Sequence, residues 1–309
     1  MRLIKMYKNI VTSGCSFTNC GMSWPFHIND KNVYNIGTVG AGNSYISRAA
    51  IWQCEDLLNQ GVPSDEIYLI VMWSGIDRFE FLTSKESPSH KDYISGKVEN
   101  RWWLQNYNQN IKDEDSTWIK SSVPDMEWAN ESINHLTSQY WKHFYTEEES
   151  FLRTLESIIR IQNYCKKRKI KYKLSCWQNI FNKYSLKVPS GHGWAHEDQE
   201  IFAHQIWILG WLDGGHWTCH RYWPKEIDWK ISKDTPLLKD LYPQTTHLWD
   251  IIDWDDWWFY EDEQIDYGGL AEWVVLGERD LMGVNEDPAH PSPDSHKKFA
   301  EKVVEKWIS

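Results

Sequence analysis

The chain has 309 residues, of which 41% are hydrophobic and 25% are charged, and its formal net charge at pH 7 is -11. These values are typical of a folded globular protein and exclude an intrinsically disordered chain. The negative charge disfavours nucleic acid and anionic membranes as partners. We expect neither a transmembrane segment nor a signal peptide, because the sequence contains no apolar stretch of suitable length. The six cysteines have no framework spacing, which favours reduced thiols.

Strands and helices are predicted to alternate along much of the chain. Short apolar runs predict strands at residues 5–12, 33–36, 66–74 and 170–177. Helical spacing of apolar residues predicts helices after the sequence GAGNS, over 149–168, and from Pro293 onward, where Ser292 is the expected cap. This alternation predicts an α/β fold whose mostly parallel sheet is covered by helices on both sides.

Two tryptophan-rich regions, at about 80–148 and 178–270, interrupt the alternation. We interpret them as insertions in one α/β domain that spans 1–309, and we expect them to form a roof or small subdomain over a site. Two explanations remain for the abundance of tryptophan, of which the chain has 21 residues. The rings pack the core of irregular segments, or they provide flat faces that stack on sugars or contact a partner.

Small and polar residues follow three of the predicted strands, in the loops SGCSFT, GTVGAGNS and WSGIDR. A fourth loop of this kind, NEDPAHPSPDSH, precedes the last helix. Ligands of open parallel sheets bind beyond the carboxyl ends of the strands, so these loops are expected to converge on one site. Gly14 permits a sharp turn there, and Ser16 is expected where a helix begins. Ser16 is then either a reactive hydroxyl held at the sheet edge or the N-cap of that helix.

The sequence DPAHPS places Asp287 three residues before His290, and a proline follows each of them. A tight turn of this kind can bring the carboxylate beside the imidazole. Asp287 would then accept a hydrogen bond from one ring nitrogen, and the other nitrogen could take a proton from a serine. Alternatively, Asp287 caps the turn and His290 is an ordinary loop residue.

The segments GCSFT, NIGTVGAGN and DPAHPS, with His296 downstream, resemble the first, second and last blocks of the SGNH (GDSL-type) hydrolases. The resemblance implies a flavodoxin-like three-layer α/β/α sandwich that hydrolyses esters without a metal or cofactor. It implies that Ser16 is the nucleophile, that His290 is the base and that Asp287 orients His290. It also implies that the backbone N–H groups of Ser16 and Gly40 form an oxyanion hole.

The third block departs from the family pattern. The family has Gly-x-Asn-Asp, whose asparagine side chain donates to the oxyanion, whereas WSGIDR has Ile76 at that place and so lacks the donor. Asn43 either replaces this donor or caps its own helix. The combination of GAGN with WS-x-x-R resembles a divergent branch that is common among bacteriophage-encoded members. A cytoplasmic or virion-associated location is therefore expected.

The resulting expectation is a serine esterase that removes O-acetyl groups from an acylated glycan. The expected partners are an acylated small molecule or glycan, but neither nucleic acid nor a membrane; the sequence predicts neither the oligomeric state nor the substrate-binding residues. The alternative is a non-catalytic glycan-binding or virion structural protein that retained the fold.

Two groups of residues of the types that bind metals remain: His192 with His196, and His216 with Cys219 and His220. They lack a second motif of known spacing, so no metal site is predicted.

Overall fold

The computed structural model describes residues 7–19, 22–38, 40–84, 116–121, 135–136, 139–140, 143–183, 185–188, 199–202, 236–263, 265–278 and 290–308. Its strands are β1 (Asn9–Ser13), β2 (Asn32–Asn35), β3 (Ile67–Trp73), β4 (Phe79–Ser84), β5 (Ser116–Ser121), β6 (Lys171–Cys176), β7 (Ser185–Val188) and β8 (Gln199–Phe202). Its α-helices are α1 (Asn43–Asn59), α2 (Glu147–Arg168), α3 (Leu238–Leu241), α4 (Thr246–Trp249), α5 (Leu270–Glu272), α6 (Pro293–Phe299) and α7 (Glu305–Ile308). Two π-helical turns, Trp273–Gly277 and Ala300–Val304, continue α5 and α6.

An open sheet of four parallel strands, in the order β2-β1-β3-β6, forms the centre of the fold. Every residue of β3 is buried, as expected for a continuous apolar run in the middle of a parallel sheet. The predicted α/β character and the predicted parallel sheet are therefore confirmed.

Alternate residues of β3 pack on opposite faces of this sheet. Val71 lies in a cluster with Ile46 of α1 and Ile158 of α2. Ile70 faces the other side, where it lies in a cluster with Phe299 of α6. Both faces of the sheet are thus covered, and the carboxyl ends of its parallel strands lie along one edge.

The predicted last helix is confirmed, including its first turn. The Ser292 hydroxyl accepts a hydrogen bond from the backbone N–H of Ser295, and Pro293 occupies the start of α6. Proline suits this position because the first N–H groups of a helix have no intrahelical partner.

Among the residues that the structure describes, no helix is both long and apolar enough to cross a membrane.

The predicted helix at Ser16 is wrong. Residues 15–19 instead form a single turn, in which the N–H groups of Thr18 and Asn19 both donate to the carbonyl of Cys15, at 3.0 and 3.2 Å. Only a short 3-10 turn, Trp24–His27, follows within the described residues before β2. Ser16 therefore caps no helix among the described residues.

Parts of the two tryptophan-rich regions are described. β4 pairs with β5 and β7 pairs with β8, and both pairs are antiparallel. Trp249, Trp254 and Trp257 surround Phe181 with ring-centroid distances of 5.4 to 5.5 Å. These three rings thus contribute to packing. The stretches RWWLQNY (101–107) and QIWILGWLDGGHWTCHRYW (205–223) lie outside the described residues.

Candidate functional site

The loop after β1 turns sharply because Gly14 has no side chain. A Cβ atom on Gly14 would collide with the Thr18 hydroxyl and would lie 2.9 Å from the backbone oxygen of Met72 in β3. The turn that follows presents Ser16, whose exposed fraction is 5%. The N–H of Ser16 donates to no backbone carbonyl among the described residues.

The loop after β2 docks on the loop after β1. The N–H of Thr38 donates to the carbonyl of Gly14 at 2.9 Å, and the side-chain amide of Asn19 donates to the carbonyl of Gly37 at 2.6 Å. Gly40 follows with a φ of 72°, a left-handed conformation that favours glycine. As with Ser16, no described backbone carbonyl accepts from its N–H. Two backbone N–H groups without described backbone acceptors thus belong to adjoining loops.

Asn43, the first residue of α1, links that helix to the residue that follows β3 and to α2. Its side-chain oxygen accepts from the backbone N–H of Ser74 at 2.8 Å, while its amide nitrogen donates to the Ser74 carbonyl and to the Thr154 hydroxyl, both at 3.0 Å. Both amide hydrogens therefore have acceptors, and none is left for the predicted oxyanion contact in this arrangement. The alternative prediction, that Asn43 caps its helix, is wrong, because Gly42 is the N-cap of α1 and Asn43 lies inside the helix.

The loop after β3 combines an apolar and an acidic side chain. Ile76 is buried in the core, as its side chain requires, and it supplies no hydrogen-bond donor. The neighbouring carboxyl of Asp77 is also buried, and this burial raises its pKa to about 6, while the charges of Arg78 and Arg153 act in the opposite direction. This loop therefore contains a buried carboxyl group whose pKa lies well above the ordinary value of an aspartate.

Phe17 joins Ser16 to the other end of the chain. Its ring stacks on Trp177, with centroids 4.3 Å apart, and contacts the His290 imidazole, with centroids 4.7 Å apart. The Nε2 atom of His290 is buried. His290 thus lies against the residue that follows Ser16, whereas Asp287 lies outside the described residues.

Three residues of this site were not singled out from the sequence. Trp177 ends a predicted strand, so its place at the carboxyl edge was a usable signal. Ser74 is the last residue of the predicted strand 66–74 and the serine of the WS-x-x-R motif, but the motif did not indicate a role for its hydroxyl. Thr154 lies inside a helix far along the chain from Asn43, and no local pattern indicates their contact.

The metal-ligand candidates His192, His196, His216, Cys219 and His220 all lie outside the described residues. Within the part of the chain that is described, no three His, Cys, Asp or Glu side chains are grouped so that they could hold a metal ion.

Comparison with known proteins does not assign the chain to a family. No protein-family model matches the sequence. A search of curated proteins likewise finds no match. The function is therefore inferred from the chemistry and geometry of the site residues.

Proposed function

We propose that this protein is a serine esterase of the SGNH type, with Ser16 as its nucleophile and His290 as its general base. The observation that carries the proposal is the contact between Phe17 and His290. It brings an imidazole from the end of the chain against the residue that follows Ser16, although the two motifs were selected independently from the sequence. A serine and an imidazole that can reach each other are the minimum that serine-based catalysis requires.

The strand order supports the flavodoxin-like sandwich of this proposal. Flavodoxin-like sheets have the order 2-1-3-4-5, and the order β2-β1-β3-β6 corresponds to its first four strands. Next to β6, Trp257 forms a single parallel bridge with Leu174, and the N–H of Trp258 donates to the Leu174 carbonyl at 2.8 Å. This bridge occupies the place of a fifth strand.

In the proposed reaction, the Ser16 hydroxyl attacks the ester carbonyl while His290 accepts its proton. The carbonyl oxygen becomes an oxyanion that the N–H groups of Ser16 and Gly40 stabilise. His290 then gives the proton to the departing alcohol, and water releases the acyl group from Ser16 by the same steps. Asp287 accepts a hydrogen bond from the second ring nitrogen of His290 and so holds the required tautomer.

An O-acetylated glycan is the substrate class of this proposal. Its support comes from the sequence, because tryptophan-rich segments such as 205–223 belong to the insertions that we expect to roof the site. Tryptophan faces would stack on sugar rings while the acyl group reaches Ser16. A cytoplasmic or virion-associated location belongs to the same proposal.

One observation favours a non-catalytic function. Ile76 occupies the place at which the resembled family has a donor to the oxyanion, and loss of one such donor typically costs about a hundredfold to a thousandfold in turnover. A glycan-binding or virion structural protein that retained the fold would tolerate this loss. The two proposals differ in whether Ser16 is reactive.

Fluorophosphonate labelling, followed by mass spectrometry of the peptides, tests this difference. An activated serine forms a covalent bond to phosphorus, and we expect the adduct on Ser16. Ser16→Ala should abolish labelling, while Ser13→Ala serves as the matched control. The Ser13 hydroxyl already donates to the Ile46 carbonyl at 3.0 Å, so its loss should leave labelling intact. Absence of an adduct on folded wild-type protein would refute the esterase.

A further inference from the structure

Ser74 lies where the sheet edge lacks its expected side-chain donor. It follows β3 directly and comes two residues before Ile76, the residue that lacks a donor. Its exposed fraction is 0%, and its hydroxyl makes no hydrogen bond to any residue that the structure describes. A buried hydroxyl without a bond is costly, so such a group in a folded protein calls for an explanation, and a catalytic role is one.

The backbone of Ser74 is held independently of its hydroxyl. Asn43 accepts from the Ser74 N–H at 2.8 Å and donates to the Ser74 carbonyl at 3.0 Å. This reciprocal pair fixes the position of Ser74 in two directions. Thr154 accepts the second amide hydrogen of Asn43 and so fixes the orientation of the amide. The side chain of Ser74 takes no part in these bonds.

The sheet register places Ser74 at the same edge of the sheet as the loop of the proposed nucleophile. Ser13, the last residue of β1, pairs with Val71, and β3 continues for two more residues to Trp73, so the loop after β1 begins beside the last residues of β3. Met72 belongs to the same cluster as Phe17 and Trp177. Ser74 follows Trp73 directly and so belongs to the group of loops at this edge of the sheet.

We propose that the Ser74 hydroxyl is the third donor to the oxyanion, beside the N–H groups of Ser16 and Gly40, and that Asn43 is the residue that positions it. The inference rests on the proposed esterase function. As the Ser16 oxygen bonds to the acyl carbon, the carbonyl π electrons move to the oxygen, which becomes negatively charged. Ser74 donates a hydrogen bond to that oxygen and keeps its proton throughout. When the tetrahedral intermediate collapses, the carbonyl re-forms and the leaving alcohol departs with the proton from His290.

Ser74→Ala tests the assignment directly, with hydrolysis of an activated acetyl ester as the assay. The substitution removes only the hydroxyl, because the bonds to Asn43 use the backbone of residue 74. We expect kcat to fall about a hundredfold to a thousandfold, as for other oxyanion donors, with KM changed little. The melting temperature should stay the same or rise, because a buried hydroxyl without a partner is removed.

Ser175→Ala is the matched control. Ser175 of β6 is also 0% exposed, and its hydroxyl likewise bonds to no described residue. It pairs with Met72, one position before the end of β6, and so lies below the edge at which the loops meet. Its substitution should leave kcat within about twofold of the wild type, well below the effect of losing an oxyanion donor. An equal loss of kcat in both variants would overturn the proposal.

The outcomes separate this inference from the esterase proposal. If the wild type hydrolyses the ester, Ser16→Ala is inactive and Ser74→Ala has wild-type kcat, the role of Ser74 is refuted while the esterase stands. If the folded wild type neither hydrolyses the ester nor reacts with the fluorophosphonate, both proposals are refuted. A selective loss of kcat in Ser74→Ala, with its melting temperature retained, supports both.

Discussion

Asn43→Ala distinguishes a positioning asparagine from one that contacts the reacting oxygen. The wild-type side chain makes three buried hydrogen bonds, of which two are to the backbone of Ser74 and one is to Thr154. Alanine removes all three, and it leaves the N–H and the carbonyl of Ser74 without their partners. The Thr154 hydroxyl loses only an acceptor function, because it continues to donate to the Ser150 carbonyl at 2.9 Å.

The expected loss of stability follows from the two orphaned backbone groups. Each buried polar group without a partner costs about 1–3 kcal/mol, so together they predict a loss of about 2–6 kcal/mol. Single domains have free energies of unfolding of about 5–15 kcal/mol, so the loss is a large fraction of the total. We also expect kcat to fall, because the Ser74 hydroxyl is no longer held in place by Asn43.

Urea unfolding and ester hydrolysis, measured on the same preparation, test this expectation. Thr154→Val is the graded control, because it leaves one amide hydrogen of Asn43 without an acceptor and preserves both bonds to Ser74. Its loss of stability should be smaller, about 1–3 kcal/mol, and its kcat should remain near that of the wild type. If Asn43→Ala kept the wild-type urea midpoint while kcat fell, Asn43 would be a direct oxyanion donor and the reasoning would be refuted.

Three further predictions concern neighbouring residues. Gly40→Ala should cost about 1–2 kcal/mol in urea unfolding, because its φ of 72° is unfavourable for alanine, and it should lower kcat; an unchanged kcat would remove Gly40 from the oxyanion hole. Phe17→Leu should lower the free energy of unfolding by about 1 kcal/mol, because it removes the aromatic contacts with Trp177 and His290. It should also lower kcat, because His290 is held less firmly; full activity would show that this contact does not position the proposed base. Burial raises the pKa of Asp77 from 3.8 to about 6, so its protonated form is favoured by folding and the associated stability is lost as pH rises from about 4 through 6. The free energy of unfolding of Asp77→Asn, measured with urea, should therefore increase relative to that of the wild type by up to about 3 kcal/mol as the pH rises from 4 to 7. A difference between the two proteins that does not change with pH would contradict this.

Sequence patterns predicted the regular elements because those elements depend on local hydrophobic periodicity. The buried run of β3 and the amphipathic helix α2 were both predicted within two residues of their observed ends. The turn at Ser16 was harder to predict. Serine suits a helix start, but the space around Gly14 is limited by the backbone oxygen of Met72 in the neighbouring strand, which is a tertiary effect.

The site could be predicted only where its chemistry is tied to a motif. His290 was selected because of the sequence around it, and the structure brings its ring against Phe17. The role of Asn43 could not be read in this way, because its partners come from β3 and α2 and depend on how those elements pack. Ser74 belongs to the WS-x-x-R motif, but the sequence does not show that its hydroxyl is buried without a hydrogen-bond partner among the described residues, because that depends on the packing around it.

The contact between Phe17 and His290 has a consequence for the order of folding. It joins the turn after β1 to the segment that leads into α6, so the pairing spans almost the whole described chain. Contacts between residues so distant in sequence tend to form late, because the entropy of closing the intervening loop must be overcome first. The central strands and α1 can associate before His290, the proposed base, reaches the loop of Ser16, the proposed nucleophile. Recovery of catalysis during refolding should therefore lag behind recovery of secondary structure, and a partly folded chain should carry no esterase activity.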